Sequence, residues 1–510
     1  MDQSKAPLYE SMVLHREQTT TSFHVPGHKS RWLNPNPHLN QDRHVFSGAF
    51  PREILSIDFT ELPGLDDLHQ PQGAIQEAQE LAAACFGADE TYFLINGSTV
   101  GNLALITALC AREDILIVQR NVHKSIIHGL MLGGVKAVFL PPRWDVQSGL
   151  PTGVTITDVE YALQKYPEAK GVMLSNPNYY GMGIDLAPII ALSHAYGKPV
   201  LIDEAHGAHY GFHPDVPASA LSCGADAVVQ STHKMLTAMT MGAMLHVQGS
   251  LLNREAIRQR LSILQSSSPS YPIMASLDLS RREIHKHGAE RLSQGLEAIH
   301  YLQLQLQTNK TCSSFLLLPY RPTSSAYETQ DPFKITVRDT TGTLNGFELK
   351  RELERHGCYG EMADQHHVLL VYSLASQKSD SDHLIQAFSR ISGEYGLIHK
   401  PHTAEISLTG LFPQHTGVSL PIEFNMEPLN LYKGAKSMNV RTIPVQDAIH
   451  TFSAEMVIPY PPGIPVLFPG ELITQHTADY LQRLSSSGAS FHGTQDACLK
   501  TIRIYHNITI

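Results

Sequence analysis

The segment Ser231-Thr232-His233-Lys234 places a lysine directly after a strand-like apolar run, DAVVQ. A lysine in a cleft at a strand end can lose its proton through burial or a nearby cation, and the neutral amine can then condense with an aldehyde. The neighbouring Ser231 and His233 carry donors that suit a phosphate group. A solvated loop lysine is one alternative. A Ser-x-x-Lys nucleophile of the penicillin-binding type is another, but the Ser-Asp-Asn and Lys-Thr-Gly motifs that accompany it are absent from the sequence.

The segment LIDEAHGAHYG, residues 201–211, ends an apolar strand with the carboxylate of Asp203. At that position in an α/β sheet an acid faces a bound ligand, although it can also cap the next helix. His206 and His209 follow at a spacing that could add two ligands for zinc. A fourth ligand with suitable spacing is missing, so the sequence predicts no metal site.

The segment 96–102, NGSTVGN, lies between the strand-like TYFLI and the helical LALITAL. Small residues and hydroxyls at the start of a helix form an anion site, because backbone N–H groups and the positive end of the helix dipole face the ligand. Gly97, Ser98 and Thr99 are therefore candidates for binding a phosphate group. Simple capping of the helix by Ser98 is the alternative.

Together these segments match the requirements of pyridoxal 5′-phosphate, whose protonated ring acts as an electron sink. Lys234 would take the aldehyde, and Asp203 would keep the ring nitrogen protonated. A flat group should stack on the ring, and His123 in RNVHKS is the candidate, with a surface histidine as the alternative. The phosphate would be bound by Ser98, Thr99, Ser231 and His233.

From residue 75 to about residue 250, short apolar runs alternate with helical patterns, which predicts a three-layer α/β domain around a mainly parallel sheet of about seven strands. The predicted strands lie at 91–95, 115–118, 135–140, 171–175, 199–203, 226–231 and 242–247. A long amphipathic helix over 273–306 follows. A βαβ-like region then predicts a smaller α/β domain, and the Pro-richer stretch 406–510 a third, α+β domain.

Length and composition agree with such a multidomain enzyme. The 510 residues correspond to about three domains. The predicted divisions are an N-terminal arm over 1–65, the large domain over 66–300, the small domain over 301–400 and a C-terminal domain over 401–510. A net charge of −10 disfavours nucleic acid as a partner, and no apolar run is long enough for a membrane span. The six unclustered cysteines are typical of a reducing compartment, so we expect a cytoplasmic protein.

The sequence resembles the pyridoxal-phosphate-dependent Orn/Lys/Arg decarboxylases of the aspartate-aminotransferase fold. The likeness runs nearly from end to end. It is carried by FHVPGHK (23–29), DDLHQPQGAI (66–75), NGSTVGN, RNVHKS, DEAHGAH, STHKM, SSSPSYPIMASLD (266–278), PYPPGIP and PGE. FHVPGHK starts at residue 23, whereas long bacterial members carry a wing domain before the cofactor domain, so the chain looks like a short-form member.

The resemblance implies roles for individual residues. Lys234 is implied to be the Schiff-base lysine, Asp203 the partner of the ring nitrogen and His123 the stacking group. Ala205 should lie under the ring, with His206 near it. Ser266, Ser267 and Ser268 would reach the phosphate of a neighbouring subunit's cofactor, so a homodimer with active sites at its interface is implied.

The expected reaction is α-decarboxylation of a basic amino acid to its amine and carbon dioxide. Arginine is the first choice and lysine or ornithine comes next. Glu455, just before the Pro-rich turn, is the candidate for binding the cationic tail of the substrate, with Asp364 and Glu361 next and a structural role as the alternative. An aminotransferase or aldolase of the same fold, or a non-catalytic cofactor-binding regulator, remains the rival function.

Overall fold

The computed structural model describes residues 21–23, 61, 65–318, 326–397, 440–460 and 463–505, and the backbone of 422–424. Its largest element is an eight-stranded mixed sheet. In chain order the strands are β1 (Glu90–Leu94), β2 (Ile115–Gln119), β3 (Lys136–Leu140), β4 (Val172–Ser175), β5 (Val200–Asp203), β6 (Ala227–Gln230), β7 (Ala243–Val247) and β12 (Ile422–Phe424). The first seven coincide with the seven predicted strands to within one residue at every end.

The strand order across this sheet is β12-β3-β2-β4-β5-β6-β7-β1. Strands β2 to β6 pair in parallel, while β7 runs antiparallel to both β6 and β1. The edge strand β12 pairs antiparallel with β3. The sequence analysis did not predict β12, because its three residues stand alone in a Pro-rich stretch with no apolar run to mark them.

Helices cover both faces of the sheet, which confirms the three-layer prediction. Alternate residues of β2 show this: Leu116 and Val118 belong to one buried cluster and Ile117 to another. Side chains of a strand alternate between its faces, so two apolar clusters require two covering layers. The helices of this domain are α1 (Ala74–Phe86), α2 (Gly97–Leu109), α3 (Lys124–Gly133), α4 (Ile156–Lys165), α5 (Leu186–Ala195), α6 (Thr232–Met235) and α7 (Arg254–Leu264).

The long helix α8 (Tyr271–Thr308) leads from the large domain to a second sheet, close to the predicted span 273–306. This sheet has the order β8-β9-β11-β10, and its members all pair antiparallel. The prediction of a βαβ-like unit here is therefore wrong in strand direction, because alternating elements alone cannot distinguish a parallel crossover from an antiparallel return. The elements are β8 (Phe315–Leu317), β9 (Lys334–Asp339), α9 (Gly346–Arg355), β10 (Met362–Ala363), β11 (Val368–Val371) and α10 (Lys378–Tyr395).

The C-terminal region forms an antiparallel sheet of β13 (Val440–Pro444), β15 (Thr501–Tyr505) and β14 (Phe452–Ser453), packed with helix α11 (Gln475–Ser486). Arg120 joins this region to the large domain. Its guanidinium donates to the carbonyls of Pro465 and Val466 at 3.0 Å, pairs with Glu471 at 3.0 Å and lies 3.8 Å over the ring of Phe468. The Pro-rich turn is thereby fixed beside the carboxyl end of β2.

Short ladders complete the described structure. They pair Thr21–Phe23 with Cys358–Gly360, Trp144–Asp145 with Leu150–Pro151, Met182–Gly183 with Thr329–Gln330, and Ile458–Pro459 with Phe491–His492. Most of FHVPGHK and the connector predicted around 397–405 lie outside the described residues. Within the described part, no helix combines the length and apolarity needed to cross a membrane. The predicted domain boundaries stay predictions.

Candidate active site

Side chains from the carboxyl ends of four parallel strands meet in one cavity of the large domain. Because β2, β4, β5 and β6 run in the same direction, the residues that follow them share an edge of the sheet. The turn at Ile464 closes the cavity from the C-terminal domain. The lining residues are Ser98, Gln119, Asn121, His123, Ser175, Pro177, Asn178, Tyr179, Asp203, Ala205, His206, Lys234 and Ile464.

Asp203 is the last residue of β5 and is 5% exposed. Asn102 Nδ2 donates to its Oδ2 at 3.0 Å, and the backbone N–H of Ala205 donates to its Oδ1 at 3.2 Å. Burial raises the pKa of this carboxyl, and the charge of Lys234 works in the opposite direction. A buried acid that faces a cavity suits a cationic N–H partner.

A hydrogen-bond chain connects Asp203 with His123. Besides Asp203, Asn102 Nδ2 donates to Ser125 Oγ at 2.9 Å, and this hydroxyl lies 2.9 Å from Nδ1 of His123. His123 precedes α3 and also accepts from the backbone N–H of Ser125. Burial and, secondarily, Lys234 lower its pKa to about 3, so the imidazole is neutral near pH 7. A neutral flat ring can stack on a charged heterocycle without repelling it.

Lys234 reaches the cavity from the short helix α6. Its Nζ lies 3.0 Å from Nε2 of His206 and 5.5 Å from the ring centroid of Tyr179. Burial lowers the pKa of the Lys234 amine, while Asp203 and Glu361 raise it. The structure thus provides the partly desolvated amine that the sequence predicts, in one cavity with Asp203.

His206 lies between large and small domains. Its ring is 4.5 Å from that of Tyr179, and its Nδ1 is 3.0 Å from Nζ of Lys334, the first residue of β9. Burial lowers the pKa of His206 well below its usual value, and both lysines act in the same direction. Ala205 beside it is small and buried and lines the cavity.

The start of α2 brings Ser98 to the cavity, and anion binding by this segment stays a prediction. Asn96 precedes the helix without a capping hydrogen bond from its side chain, and the backbone N–H of Gly97 donates to the carbonyl of Met241 at 2.9 Å. Ser231 Oγ donates to Ser98 Oγ at 2.8 Å, which joins two predicted phosphate ligands. Gly97 has φ +74°, a conformation that favours glycine.

Two other predicted phosphate ligands, Thr99 and His233, are not among the residues that line the cavity. Thr99 is exposed. His233 Nδ1 lies 2.9 Å from the carbonyl oxygen of Gly242, an arrangement that orients the ring. Their contacts with phosphate remain predictions.

These residues fit pyridoxal phosphate. The buried hydroxyl of Ser175, a cavity-lining residue, and the Oδ1 atom of Asn102 have no hydrogen-bond partner within the described structure, which indicates room for a polar ligand. The amine of Lys234, the carboxylate of Asp203 and the hydroxyls of Ser98 and Ser231 supply the donors and acceptors that this cofactor requires.

Other predicted residues lie away from the cavity. Ser266, Ser267 and Ser268 are exposed, as a contribution to a neighbouring subunit would require. Glu455 is 6% exposed in the C-terminal domain. Its Oε2 accepts from the backbone N–H of Gln495 at 3.1 Å and its Oε1 from that of Arg503 at 3.2 Å, which agrees with the structural alternative.

His209 turns away from Asp203. Its Nε2 lies 3.2 Å from Oδ1 of Asp331 of the small domain, and both residues are fully buried. The convergence of Asp203, His206 and His209 that a zinc site would need is not found. Within the described residues, the His/Cys/Asp/Glu group that could bind a metal is instead Glu352, His356 and Glu394, remote in sequence from these motifs.

Sequence reasoning missed Asn102, Tyr179 and Lys334. Asn102 belongs to the quoted NGSTVGN segment, but nothing local indicates that its amide orients Asp203. Tyr179 follows the predicted strand 171–175 in SNPNYYG, and the rule that ligands bind beyond strand ends could have found it. Lys334 comes from another domain, with no signal in its own neighbourhood.

Known proteins share this arrangement of sequence and fold. The YaaO protein of Bacillus subtilis, of uncharacterized function, is 39% identical over 505 residues, 98% of each chain. The arginine decarboxylase of the same organism is 32% identical and covers 99% of this chain and 98% of that protein. The constitutive lysine decarboxylase structure of Escherichia coli has a TM-score of 0.72 at 21% identity, covering 98% of this chain and 82% of that chain, which supports the fold.

Family models agree with these relatives. The model of the Orn/Lys/Arg decarboxylase major domain matches residues 6–380. That of the C-terminal domain of the same family matches residues 414–498. The resemblance predicted from the sequence motifs is therefore confirmed: the chain belongs to the Orn/Lys/Arg decarboxylase family.

Proposed function

We propose that this protein is a pyridoxal-phosphate-dependent α-decarboxylase of a basic amino acid, with arginine as the first choice of substrate. The observation that carries the proposal is that Lys234 and Asp203 line one cavity, a buried acid beside a partly desolvated amine. Membership in the family favours decarboxylation over the other reactions that this fold supports. The arginine decarboxylase of Bacillus subtilis, similar over nearly its full length, favours arginine.

When bound, the cofactor withdraws electrons from the bond that loses carbon dioxide. The residues of this chain would hold the cofactor with its ring nitrogen protonated, the state in which the ring withdraws these electrons. Asp203 would accept a hydrogen bond from the ring nitrogen of the bound cofactor, and Asn102, whose Nδ2 donates to Oδ2 of Asp203 at 3.0 Å, would orient the carboxylate. His123, a neutral imidazole that lines the cavity, would pack against the face of the cofactor ring. Lys234, paired with His206, is placed to return a proton after carbon dioxide leaves.

A cationic substrate tail requires an acid, and three carboxylates are candidates. Glu455 accepts two backbone N–H groups within the C-terminal domain. Asp364 accepts from Tyr180 at 2.5 Å and from His367, so its charge is already compensated. Glu361 raises the pKa of both Lys234 and Lys334, so its charge lies near the two amines, beside the lining residues of the cavity. We propose Glu361 as the group that meets the tail.

Paired variants distinguish these acids. Glu361→Gln should raise KM for the preferred amino acid more than it lowers kcat, because the tail contact is similar in the ground and transition states. Glu455→Gln should instead lower the melting temperature of the protein with KM unchanged. A raised KM in Glu455→Gln together with an unchanged KM in Glu361→Gln would indicate that Glu455, and not Glu361, contacts the substrate tail.

A substrate panel tests the reaction itself. Purified protein with bound cofactor is incubated separately with carboxyl-labelled arginine, lysine and ornithine, and released carbon dioxide and the amine product are both measured. We expect equal amounts of the two products and the highest kcat/KM with arginine. A keto acid without carbon dioxide would indicate an aminotransferase. Bound cofactor without any product would favour a regulatory protein. Lys234→Ala serves as the matched control.

We also propose a homodimer whose sites combine residues of two chains. Mixing a Lys234→Ala chain with a chain in which Ser266, Ser267 and Ser268 are all alanine tests this. In a heterodimer one site then receives both changes and the other receives neither, so activity should return to the mixture. Verified heterodimers without recovery, or a fully active monomer in sedimentation, would contradict the shared site.

We place the enzyme in the cytoplasm. The unclustered cysteines of the sequence support a reducing compartment. Fractionation of cells that express the tagged chain should recover the enzyme with cytoplasmic markers. Recovery with a membrane or extracellular fraction would contradict this placement.

A further inference from the structure

Three exposed serines lie between two buried residues in the connection from α7 to α8. The serine segment consists of Ser266, Ser267 and Ser268, and the buried residues on either side are Gln265 and Pro269. None of the three serines lines the cavity of its own chain. The segment therefore lies at the surface of the large domain, and its conformation depends on the contacts that hold its backbone.

Both ends of the serine segment are fixed to the large domain. Before it, Gln265 Oε1 accepts from the backbone N–H of Ile95 at 2.9 Å, and Gln265 Nε2 donates to the carbonyl oxygen of Phe93 at 3.4 Å. After it, the hydroxyl of Tyr271 donates to the carbonyl oxygen of Asp66 at 2.6 Å. Because the end of β1 leads directly into α2, these contacts place the segment beside the predicted phosphate-binding residues.

His69 adds a contact within the segment itself. Its Nε2 lies 2.8 Å from the backbone carbonyl oxygen of Ser266. A carbonyl oxygen only accepts hydrogen bonds, so Nε2 carries a proton and donates, in the neutral ring and in the imidazolium alike. The bond fixes the peptide group between Ser266 and Ser267. Ser266 Oγ then accepts from the backbone N–H of Ser268 at 3.2 Å, which fixes the turn that follows.

The loop that carries His69 is closed on a carboxylate and packed against α8. Leu68 is 7% exposed and belongs to the same apolar cluster as Tyr271. The carboxylate of Asp66 accepts from backbone N–H groups at 2.8–3.1 Å, those of Asp67, Gln72, Gly73, Ile75 and Gln76. A loop held in this way can keep the imidazole of His69 against the serine segment.

We propose that His69 is a positioning residue, which holds the serine segment in the conformation in which its hydroxyls meet the cofactor phosphate of the partner subunit. This inference rests on the proposed function and on the proposed homodimer, which assign that phosphate contact to the serines. It follows that His69 acts on cofactor binding in the partner's site and not in the site of its own chain.

Heterodimers with one reporting site test this role. A chain that carries Lys234→Ala is paired with a chain that keeps Lys234, so the visible imine absorbance reports only the site of the second chain. His69→Ala is introduced either into the Lys234→Ala chain or into the reporting chain. The full-length heterodimers are isolated through two different affinity tags, freed of cofactor and titrated with pyridoxal phosphate.

The expected result depends on which chain carries the change. With His69→Ala in the Lys234→Ala chain, the Kd of the reporting site should rise about two- to tenfold, the effect of losing one neutral hydrogen bond. With His69→Ala in the reporting chain, the Kd should be parental. His69→Gln should restore most of the affinity, because its amide can donate to the same carbonyl. His300→Ala, which changes an exposed histidine of α8, is the matched control and should leave the Kd unchanged.

Three results would overturn the positioning role: a parental Kd in both arrangements, an equal rise in both, or a rise only when the reporting chain carries His69→Ala. If His69→Ala does not fold, His69→Leu replaces it, and the same three results overturn the role.

A reference variant separates this inference from the proposed function. Ser266, Ser267 and Ser268 are all changed to alanine in the same two arrangements. Serines that act from the Lys234→Ala chain, without any such effect of His69→Ala, would overturn this inference alone. Serines without an effect from that chain would overturn the shared site and this inference together. Parental protein that forms no imine would refute the proposed function.

Discussion

Asp203→Asn is the substitution that examines the electronic part of the mechanism with little change in shape. The amide oxygen can still accept from Asn102, whose Nδ2 lies 3.0 Å from Asp203 Oδ2, while the 3.2 Å bond from the backbone N–H of Ala205 to Oδ1 is lost. The negative charge is lost, so the ring nitrogen no longer has a partner that keeps it protonated. We therefore expect the variant to fold and to bind the cofactor.

The size of the effect follows from the bond that is lost. A hydrogen bond to a charged group contributes about 1.5–3 kcal/mol. If this contribution is made in the transition state, turnover falls about 10- to 150-fold, since about 1.4 kcal/mol corresponds to a factor of ten. The Asp203 carboxyl is buried, with a raised pKa, so solvent does not replace the lost partner.

The assay is kcat for carbon dioxide release by cofactor-saturated enzyme at pH 7. Glu204→Gln is the matched control, because Glu204 is the adjacent buried acid but does not line the cavity. Its carboxylate instead accepts from Gln230, Ser219 and the backbone N–H of Ala220. The control should retain near-parental turnover per folded molecule. Parental turnover in Asp203→Asn would refute the assigned role of this carboxylate.

Three further changes have defined outcomes. Lys234→Ala should abolish carbon dioxide release with an unchanged far-ultraviolet circular dichroism spectrum, and turnover near the parental rate would contradict its assignment. Gly463→Ala should weaken cofactor binding several-fold in an absorbance titration, because a Cβ on residue 463 would lie 3.4 Å from the ring of His123. The substitution should also lower the free energy of unfolding by roughly 1–2 kcal/mol, because Gly463 has φ +92°. Parental cofactor affinity would show that this turn does not support the His123 ring. Burial raises the pKa of Glu204 to about 8 from an ordinary 4.5, so this group ionises in the unfolded chain before it ionises in the folded protein as the pH rises. The free energy of unfolding should therefore fall between about pH 4.5 and 8, by at most about 5 kcal/mol. Thermal melts of Glu204→Gln should show a smaller fall over this pH range, and a fall equal to that of the parent would show that Glu204 is not the cause.

Local patterns were sufficient to predict seven strands of the main sheet. Its strands are continuous apolar runs because both faces of the sheet are buried, and such runs are visible in the sequence as at Ile115–Gln119. The end of each run then located Asp203 and Lys234. The same reasoning could not give the antiparallel pairing of the small sheet, because pairing direction depends on chain reversals that apolar runs do not encode.

Contacts between distant segments were beyond sequence reasoning. Asn102 bonds to Asp203 from another strand-helix turn, and Lys334 bonds to His206 across the domain border. Asn102 lies in the NGSTVGN segment, but nothing there indicates its partner, and Lys334 has no distinctive neighbour in its own segment. Glu455 shows the converse difficulty, since its position before the Pro-rich turn indicated the active-site mouth, whereas its carboxylate accepts backbone N–H groups inside the C-terminal domain.

The central claim is that this cavity holds the cofactor through Lys234, and covalent trapping tests it most directly. Purified enzyme with bound pyridoxal phosphate is reduced with borohydride and digested, and the modified lysine is identified by peptide mass spectrometry. Lys334 is the informative competitor, because its amine contacts the same His206 ring. The account predicts the cofactor on Lys234 and an unmodified Lys334. Modification of Lys334, or of a lysine outside the cavity, would contradict it.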